Sequence, residues 1–483
     1  MSVVPAEARP SSANPELDNI LSKLRPFQRE AYEFATSTGG KHDQKNGNGT
    51  RVLIADEMGL GKTITSLAVM AHHIASWPLL ILCPASLRHT WPAEIEKFIP
   101  SLPTSAVYVV SGFDDADFYS NPNKRKRIKI VVATYSLLQN RSAAARVLED
   151  FHFRCVIADE SHNLKERSSQ RCKLAMPLLM RADHVCLLSG TPALARPVEL
   201  WAQLHSLAPK VFGSYTAFTK KFCNARRGRF GWDVKGCSNA DELHQLLKSY
   251  MIRRLKSDVL HDLPPKQRMI VPVKVSPEHA SKCRTLIQDM EATRTSIDEL
   301  VGQDAESANF EARRMFMEAF QASGLAKAQA VSEYLVDWLN GSGTQKVLVF
   351  AHHKEVLDSL EKTVCKKMKG VGHIRIDGSV PSAERAARVR KFQTNAKVRV
   401  ALLSVTAAGV GLTLTAASSV LFSELYWTPG VLAQAEDRAH RIGQVNSVNV
   451  MYCVVKDRDI SIDMKLWNIL GRKIGTLGRV IDG

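Results

Sequence analysis

The first half of the chain alternates short apolar runs with amphipathic helical patterns. Between about residues 21 and 250, each apolar run has the length of a buried parallel strand. The runs are 51–55, 79–83, 128–133, 155–158 and 184–188. A helical pattern such as 63–74 lies between successive runs. This alternation predicts an α/β lobe in which helices flank a parallel sheet.

A second stretch, residues 341–475, repeats the alternation. Its apolar runs are 346–350, 374–376, 398–403, 419–422 and 448–455. Two such stretches predict two tandem α/β lobes. The region between them, 251–340, is largely charged and rich in alanine, and we expect it to form a linker and a helical protrusion. The polar N-terminal segment, residues 1–20, is predicted to be a disordered tail.

The charge balance favours a polyanionic partner. Lys and Arg number 65 and Asp and Glu number 48, which gives a formal net charge of +17. Cations that neutralise phosphates release counterions, so nucleic acid is favoured over the alternative of a merely basic surface. No apolar run approaches the roughly 20 residues of a membrane span, and no membrane partner is expected. The nine Cys form no CxxC pair, so neither a zinc site nor a disulfide framework is indicated.

The segment DEMGLGKT follows an apolar strand and opens an amphipathic helix, as a phosphate-binding loop requires. Gly59 and Gly61 let backbone N–H groups turn towards phosphate oxygens. Lys62 can reach the β and γ phosphates, and the Thr63 hydroxyl can hold Mg²⁺. Asp56 replaces the first Gly of the strict motif. The predicted nucleotide-binding residues of this segment are Asp56, Glu57, Met58, Gly59, Leu60, Gly61, Lys62 and Thr63.

Residues 156–162 read VIADESH and end another apolar run. A carboxylate at the carboxyl end of a buried strand lies where open α/β sheets bind ligands. We expect Asp159 to bind Mg²⁺ through its water shell, and Glu160 to act as general base on the attacking water. An ordinary acidic turn is the alternative, and the preceding phosphate motif disfavours it.

Residues 434–441 read QAEDRAHR. On a helix, Gln434, Arg438 and Arg441 are spaced by four and three residues and share one face. Two guanidiniums on one face suit a triphosphate, as arginine fingers that stabilise transition-state charge. The alternative is a solvated basic face. Because these residues fall in the second stretch, they would complete a site whose first half lies in the first lobe.

Together these segments resemble the Swi/Snf-type ATPases of helicase superfamily 2, over about residues 24–467. The resemblance implies two RecA-like lobes. The motifs that carry it are LRPFQ (24–28), DEMGLGKT (56–63), LLILCPASLRHTW (79–91), VVATYSLL (131–138), DESH (159–162), LLSGTP (187–192), RRLKSDVL (253–260), KVLVFAHHKEVLD (346–358), IRIDGS (374–379), LLSVTAAGVGLTLTAAS (402–418) and QAEDRAHRIGQ (434–444).

Within this family the chain is most similar to the HepA-related (HARP-like) annealing-helicase branch, whose members remodel replication forks and rewind DNA. The strings that carry this likeness are DESH rather than DEAH, FGWDVKGCSN (230–239), FAHHKEVLD (350–358), HIRIDGS (373–379) and FSELYWTPGVLAQAEDR (422–438). Nucleosome remodellers usually carry Arg-Ala-Gly-Gly where this chain has TAAG (406–409). They usually carry Asp where this chain has Glu424.

The resemblance also implies individual roles. Gln28 is expected to contact the adenine, and Gly411 to lie near the nucleotide in the second lobe. Ser189 and Thr191, with Gln434, are expected to couple hydrolysis to motion. The expected DNA contacts come from Ser86, Arg88, Thr134, Tyr135, His352, Gly378, Ser404 and Thr406. Most should touch backbone phosphates, so binding should depend little on sequence.

The predicted protein is therefore a nuclear, monomeric DNA-dependent ATPase that uses ATP and Mg²⁺. It is expected to translocate on duplex or branched DNA and to remodel or anneal structures such as replication forks. A nucleosome or transcription-complex remodeller is the enzyme alternative. An inactive DNA-binding scaffold is the alternative of another class, and the intact residues Lys62, Asp159, Glu160 and Arg441 argue against it.

The basic segment around residue 229 leaves two interpretations open. Arg226, Arg227 and Arg229, with Trp232, would suit a grip on a branched DNA junction. Alternatively, Trp232 is a local core residue and the three arginines are solvated.

Overall fold

The computed structural model describes residues 14–38, 49–110, 126–139, 148, 151–228, 231–275, 277–297, 303–406 and 412–482. Two parallel sheets with helices packed on their faces follow one another along the chain. The predicted fold class, two tandem RecA-like α/β lobes with a helical connecting region, is confirmed. We refer to the lobes as lobe 1 and lobe 2.

The described strands of lobe 1 are β1 (Arg51–Ile54), β2 (Leu79–Cys83), β3 (Val107–Val109), β4 (Ile130–Thr134), β5 (Cys155–Asp159), β6 (His184–Leu188), β7 (Arg226–Gly228), β8 (Gly231–Asp233) and β9 (Met251–Ile252). Seven of them form one parallel sheet in the order β3-β4-β2-β5-β6-β1-β9. β7 and β8 form a separate antiparallel hairpin.

The described helices of this half are α1 (Pro15–Lys23), α2 (Pro26–Glu33), α3 (Lys62–His72), α4 (Thr90–Phe98), α5 (Gln170–Arg181), α6 (Trp201–Leu207), α7 (Pro209–Phe212), α8 (Tyr215–Phe222), α9 (Ala240–Leu247) and α10 (Lys256–Val259). The sheet divides the core of lobe 1 in two, because successive strand residues face opposite sides. Leu53 and Leu80 belong to one hydrophobic cluster, whereas Val52 and Leu79 belong to the other. This burial on both faces explains the continuous apolar runs.

The described strands of lobe 2 are β10 (Lys266–Pro272), β11 (Val347–Ala351), β12 (Gly372–Ile376), β13 (Val398–Ser404), β14 (Ser419–Phe422) and β15 (Val448–Val454). They form a parallel sheet in the order β10-β15-β14-β11-β13-β12. The accompanying helices are α11 (Pro277–Ile297), α12 (Gln303–Gly341), α13 (Lys354–Lys367), α14 (Ser382–Thr394), α15 (Pro429–Glu436) and α16 (Asp463–Ile481). None of the helices described has the length and apolar character needed to cross a membrane.

Two segments join the lobes. The segment 253–265 runs from β9 in the first sheet to β10 in the second. The helix α16 runs back: Leu466 and Leu470 lie in the core of lobe 2, whereas Leu477 and Val480 lie in the core of lobe 1. The lobes are therefore tied together at two places.

Several element boundaries differ from the predicted ones, among them those of α1 and β10. α1 begins at Pro15, inside the predicted tail 1–20. Asn14 caps it by accepting from Leu17 N at 3.1 Å, and its apolar face is buried. β10 falls inside the predicted linker 251–340 but belongs to the second sheet. Most positions of β10 are exposed, so it lacks the apolar run that revealed the other strands.

Candidate active site

Three chain segments meet at the carboxyl edge of the first sheet. The neighbouring strands β5, β6 and β1 lead respectively into the DESH motif (159–162), the SGTP motif (189–192) and the P-loop (56–61). Ligands of open α/β sheets bind at this edge. The fold thus places the three predicted motifs side by side, although more than a hundred residues separate the first from the last.

The P-loop turns from β1 into α3. Gly59 and Gly61 have φ angles of +88° and +78°, in the left-handed region that glycine tolerates best. Lys62, the first residue of α3, donates from Nζ to the carbonyl oxygens of Asp56 at 2.8 Å and Glu57 at 3.4 Å. The ammonium therefore lies beneath the loop at a helix N-terminus, which is where phosphate groups bind.

Gly190 brings the SGTP motif against the P-loop. A Cβ at this position would collide with the Met58 side chain and lie 3.3 Å from Lys62 Nζ, so the close approach requires glycine. Burial lowers the pKa of the Lys62 ammonium, and the carboxylates of Glu160 and Asp159 are among those that oppose this. The lysine is thus held among acidic groups in a protein-enclosed site.

Asp159 is fixed by two neighbours. Its Oδ1 accepts from the Glu160 backbone N–H at 2.9 Å, and its Oδ2 accepts from Trp91 Nε1 at 3.0 Å. Burial, together with the negative charge of Glu160, raises the pKa of the Asp159 carboxyl to about 7. The Tyr135 hydroxyl donates to the Asp159 backbone carbonyl at 2.9 Å. Trp91 and Tyr135 therefore position Asp159, a role that the sequence analysis missed.

Glu160 has a φ angle of +49°, which is unusual for a residue with a side chain and typical of functional positions. Its Oε2 lies 3.3 Å from His162 Nδ1. Burial alone would raise the pKa of this carboxyl. The neighbouring His162, Lys62 and Arg438 outweigh burial, and the pKa lies below its usual value. Glu160 is therefore held as a carboxylate, the form that a general base needs.

A series of polar contacts runs from Glu160 into lobe 2. His162 Nδ1, which neighbours Glu160, also lies 3.0 Å from Ser189 Oγ. Ser189 Oγ accepts from the Thr191 backbone N–H at 3.2 Å. The Thr191 hydroxyl in turn accepts from Gln434 Nε2 at 3.0 Å. The three residues predicted to couple hydrolysis to motion thus form one connected path between the lobes.

Both predicted arginine fingers lie against the lobe 1 site. Arg438 is almost fully buried, and its Nε and Nη2 have no hydrogen-bond partner among the described residues. Burial and the nearby Arg441 lower the pKa of Arg438 to about 10, while Glu160 counteracts them. Arg441 donates from Nη1 to Thr413 Oγ1 at 2.6 Å. A Cβ added at Gly59 would lie 2.9 Å from Arg441 Cβ, so the finger directly abuts the P-loop.

The linker between the lobes also reaches the P-loop. Arg254 donates from Nε to Asp56 Oδ1 at 3.0 Å and forms a second contact with the other carboxylate oxygen. The Lys256 backbone N–H donates to Glu57 Oε2 at 2.8 Å. Lys256 Nζ lies 2.8 Å from Asp437 Oδ1 in lobe 2. The sequence analysis identified RRLKSDVL only as a family motif. The cationic residues of this motif were the signal that could have indicated its contacts with acidic residues of the P-loop.

Two further residues, Gln28 and Gly411, were predicted to lie near the nucleotide. Gln28 is buried beside the P-loop: its Nε2 donates to Leu60 O at 2.9 Å, and its Oε1 accepts from Arg25 N at 3.0 Å. The Gln28 amide is therefore hydrogen-bonded to the P-loop backbone. A contact of Gln28 with the adenine stays a prediction. Gly411 lies outside the described residues.

The predicted DNA contacts divide into two groups. Thr134 and Tyr135 are buried, and their hydroxyls bond to Ser136 Oγ at 2.8 Å and to Asp159 O respectively. Both side chains are used within lobe 1, and a DNA contact at these two positions stays a prediction. The other six lie at carboxyl ends of strands: Ser86 and Arg88 after β2, His352 after β11, Gly378 after β12, Ser404 at the end of β13, and Thr406 beyond it. Gly378 and Thr406 are exposed, so both are available to a ligand that binds at the carboxyl edge of the second sheet.

The donor set fits Mg²⁺. Thr63 in the first turn of α3 and Asp159 at the end of β5 supply oxygen ligands, which hard divalent cations prefer. Burial, and after it the negative charge of Glu160, raises the pKa of Asp159, and a bound cation would oppose both effects. Nowhere in the described ranges do three or more His, Cys, Asp or Glu side chains form a metal-binding cluster. Few protein ligands are usual where Mg²⁺ binds beside phosphates.

Comparison with known proteins gives consistent matches. Residues 28–327 match the SNF2-related domain, and residues 326–443 match the helicase conserved C-terminal domain. The chain is 40% identical over 474 residues to the DNA annealing helicase and endonuclease ZRANB3 of Homo sapiens, covering 96% of this chain and 41% of that protein. It is 37% identical over 478 residues to the SWI/SNF-related matrix-associated actin-dependent regulator of chromatin subfamily A-like protein 1 homolog of Caenorhabditis elegans, covering 98% of this chain and 64% of that protein.

A solved structure of the Sulfolobus solfataricus SWI2/SNF2 ATPase core in complex with dsDNA is similar at 22% identity, with a TM-score of 0.43, and covers 96% of this chain and 98% of that chain. The chain spans only 41% to 64% of the length of the two curated relatives. The SNF2-related domain matches more than half of the chain, and its order before the helicase C-terminal domain agrees with the order of the lobes. The chain therefore belongs to the SNF2-related family, the Swi/Snf-type group of helicase superfamily 2 that its motifs predicted.

Proposed function

We propose that this chain is a DNA-dependent ATPase that translocates on duplex or branched DNA and promotes strand annealing. The P-loop backbone and Lys62 bind the phosphates of ATP. Glu160, kept ionised by its cationic neighbours, takes a proton from the attacking water. Arg438 and Arg441 stabilise the charge that develops on the transferred phosphoryl group.

Mg²⁺, held by Thr63 and Asp159, supplies neutralising charge to the phosphate oxygens when it is bound. The protein's own contribution is to hold these two oxygen donors close to Lys62 and Glu160. The charges of Glu160 and Asp159 act on Lys62, which supports a common site for the four groups.

The observation that carries the proposal is the polar path from Glu160 through His162, Ser189 and Thr191 to Gln434. Its first members belong to the hydrolytic half-site in lobe 1, and its last member lies on α15, in the same segment as both fingers. A change at the γ-phosphate can therefore alter the fit between the lobes. This is the physical requirement for a motor that converts hydrolysis into movement.

The proposed substrate is a branched DNA such as a replication fork. The name of the Homo sapiens relative describes an annealing helicase, and the net charge of +17 favours phosphate contacts. The exposed positions at the carboxyl ends of lobe 2 strands suit sequence-independent binding to a DNA backbone. A nuclear location and a monomeric state complete the proposal.

The test compares ATP hydrolysis with single-stranded, duplex and forked DNA of equal nucleotide content. Hydrolysis should rise with DNA and be highest with the fork, and it should be absent from the Glu160→Gln variant, which controls for contaminating ATPases. Nucleosomes should add nothing to the rate seen with the same naked DNA. A rate independent of DNA would refute the proposal, and a rate that needs nucleosomes would support the remodelling alternative.

A further inference from the structure

The hairpin formed by β7 and β8 is exposed at every described position. Arg226 pairs with Asp233, and Arg227 pairs with Trp232 across the two strands. Two isolated strands of three residues each are marginally stable in water. The hairpin therefore depends on how its base is attached to lobe 1.

Hydrogen bonds attach the two ends of the hairpin to lobe 1. The Asn224 backbone N–H donates to Ser238 Oγ at 2.9 Å. Ser238 Oγ and Asn239 Nδ2 both donate to the Lys221 carbonyl, at 2.8 and 2.9 Å. Phe222, which ends α8, is buried in the core of lobe 1. The chain therefore enters and leaves the hairpin at one fixed point, and the strands project from it in a defined direction.

Trp232 is 58% exposed, which shows that the interpretation of this residue as a core residue is wrong. Among the Phe, Tyr and Trp side chains whose burial the structure describes, it is the one that is mainly exposed. Lys220 Nζ lies 5.7 Å from the centre of its ring, and Arg227 is its neighbour across the hairpin. Residues 215–236 contain six Lys or Arg and one Asp, so positive charge predominates in the sequence of this segment.

This combination fits a nucleotide better than a peptide. Aromatic rings stack on nucleobases of any sequence while nearby cations bind the phosphates. An acidic peptide would match the charge but would leave the indole face without a flat partner. In an intact duplex each base face is covered by its neighbours, whereas the last pair at a branch point exposes one. The matching ligand is therefore DNA that is branched or unpaired.

We propose that the β7–β8 hairpin recognises the branch point of DNA, with Trp232 stacked on an exposed base and with Lys220 and Arg227, the cations on the same side as its ring, on adjacent phosphates. This inference rests on the proposed function and adds the site that distinguishes a fork from a plain duplex. The site lies outside the nucleotide-binding residues. Arg229, the third arginine of the sequence cluster, lies outside the described residues and is not needed for it.

The test measures the affinities of the full chain for a fork and for a plain duplex of equal nucleotide number, at one salt concentration and with the free ends of both DNAs blocked, so that only the fork exposes a base face. Trp232→Ala should weaken fork binding by about 5- to 150-fold, the range expected for one lost base stack, and should weaken duplex binding much less. Trp232→Phe keeps an aromatic face and should retain most of the fork preference. Val211→Ala, at a 40% exposed apolar position of lobe 1 outside the hairpin, should leave both affinities unchanged.

Thermal unfolding of each variant separates lost binding from lost folding. If Trp232→Ala keeps the wild-type ratio of fork to duplex affinity, or if the wild type has no fork preference, the hairpin proposal is overturned, and a protein partner becomes the alternative occupant. DNA stimulation of ATP hydrolysis by the wild type is measured in parallel. Its absence would refute the proposed function itself, so the two failures are distinguishable.

Discussion

Replacing Lys256 should uncouple the two halves of the active site. The Lys256 side chain is only 3% exposed and lies on the short helix α10 in the linker. Its Nζ is 2.8 Å from Asp437 Oδ1 and 3.8 Å from Glu57 Oε1, and it donates to the His440 carbonyl. One ammonium thus joins the P-loop segment to the segment that carries both arginine fingers.

The size of the expected effect follows from the burial of Lys256 and from the ion pair that Asp437 keeps when Lys256 is replaced. Removing one partner of a buried ion pair costs about 3 to 5 kcal/mol, largely because the other charge is left uncompensated. Asp437 would retain Lys266, whose Nζ is 3.2 Å from the same Oδ1, so the lower end applies. A loss of about 3 kcal/mol from the joined arrangement corresponds to about a 150-fold shift in its population. Lys256→Met should therefore lower kcat by about two orders of magnitude.

ATP affinity should change far less in Lys256→Met, because Lys62 and the P-loop backbone keep their own contacts. The assay is steady-state hydrolysis at saturating DNA, beside nucleotide binding and thermal unfolding. Lys266→Met is the matched control, since Lys266 forms buried pairs with Glu436 at 2.8 Å and with Asp437 inside lobe 2. It should lower stability with a smaller effect on kcat. Equal kcat losses in the two variants, or wild-type turnover in Lys256→Met, would refute this reasoning.

Substitutions at three further residues test the nucleotide site. Lys62→Ala should abolish hydrolysis while DNA binding, measured by gel shift, stays near wild type, because the lysine faces the phosphate site; near-normal turnover would remove the P-loop assignment. Glu160→Gln should bind ATP but not hydrolyse it, since only the base is lost; loss of nucleotide binding would indicate a structural role. Arg441→Ala should lower turnover by about 10³- to 10⁵-fold with a smaller loss of ATP affinity. Arg441→Lys should rescue only partly, because an ammonium lacks the planar guanidinium fork, and normal turnover in Arg441→Ala would contradict closure of the lobes.

The central strands could be predicted because helices cover both sheet faces, which forces continuous apolar sequences at β1, β2, β4, β5 and β6. The same logic failed for β10, whose positions are mostly exposed, and for β9, which has only two residues. The hairpin of β7 and β8 gives no apolar signal either, because both of its faces meet solvent. The hydrophobic pattern of a sequence reflects which side chains are buried. An element with few buried side chains therefore shows little hydrophobic pattern.

The residues of the catalytic site were predictable where chemistry restricts the residue type, as at Lys62 and Glu160. Those that position them were not, because their roles arise from contacts between distant segments. Trp91 reaches Asp159 across 68 residues, and Arg254 reaches Asp56 across 198. A tryptophan or an arginine by itself does not reveal which carboxylate it will hold. The sequence likewise did not show that Tyr135 is buried and bonded to the Asp159 carbonyl.

The charges gathered between the lobes support the motor mechanism proposed above. Burial lowers the pKa of Lys62, Lys256, Arg438 and Arg441, so each of these cations is held where water stabilises it poorly. Lys256 is matched by carboxylates, whereas two guanidinium nitrogens of Arg438 have no hydrogen-bond partner among the described residues. A triphosphate between the lobes would supply the charge that the protein leaves incomplete. The free energy of lobe closure must then depend on the nucleotide, and a closure that changes with each hydrolysis event can move DNA held by both lobes.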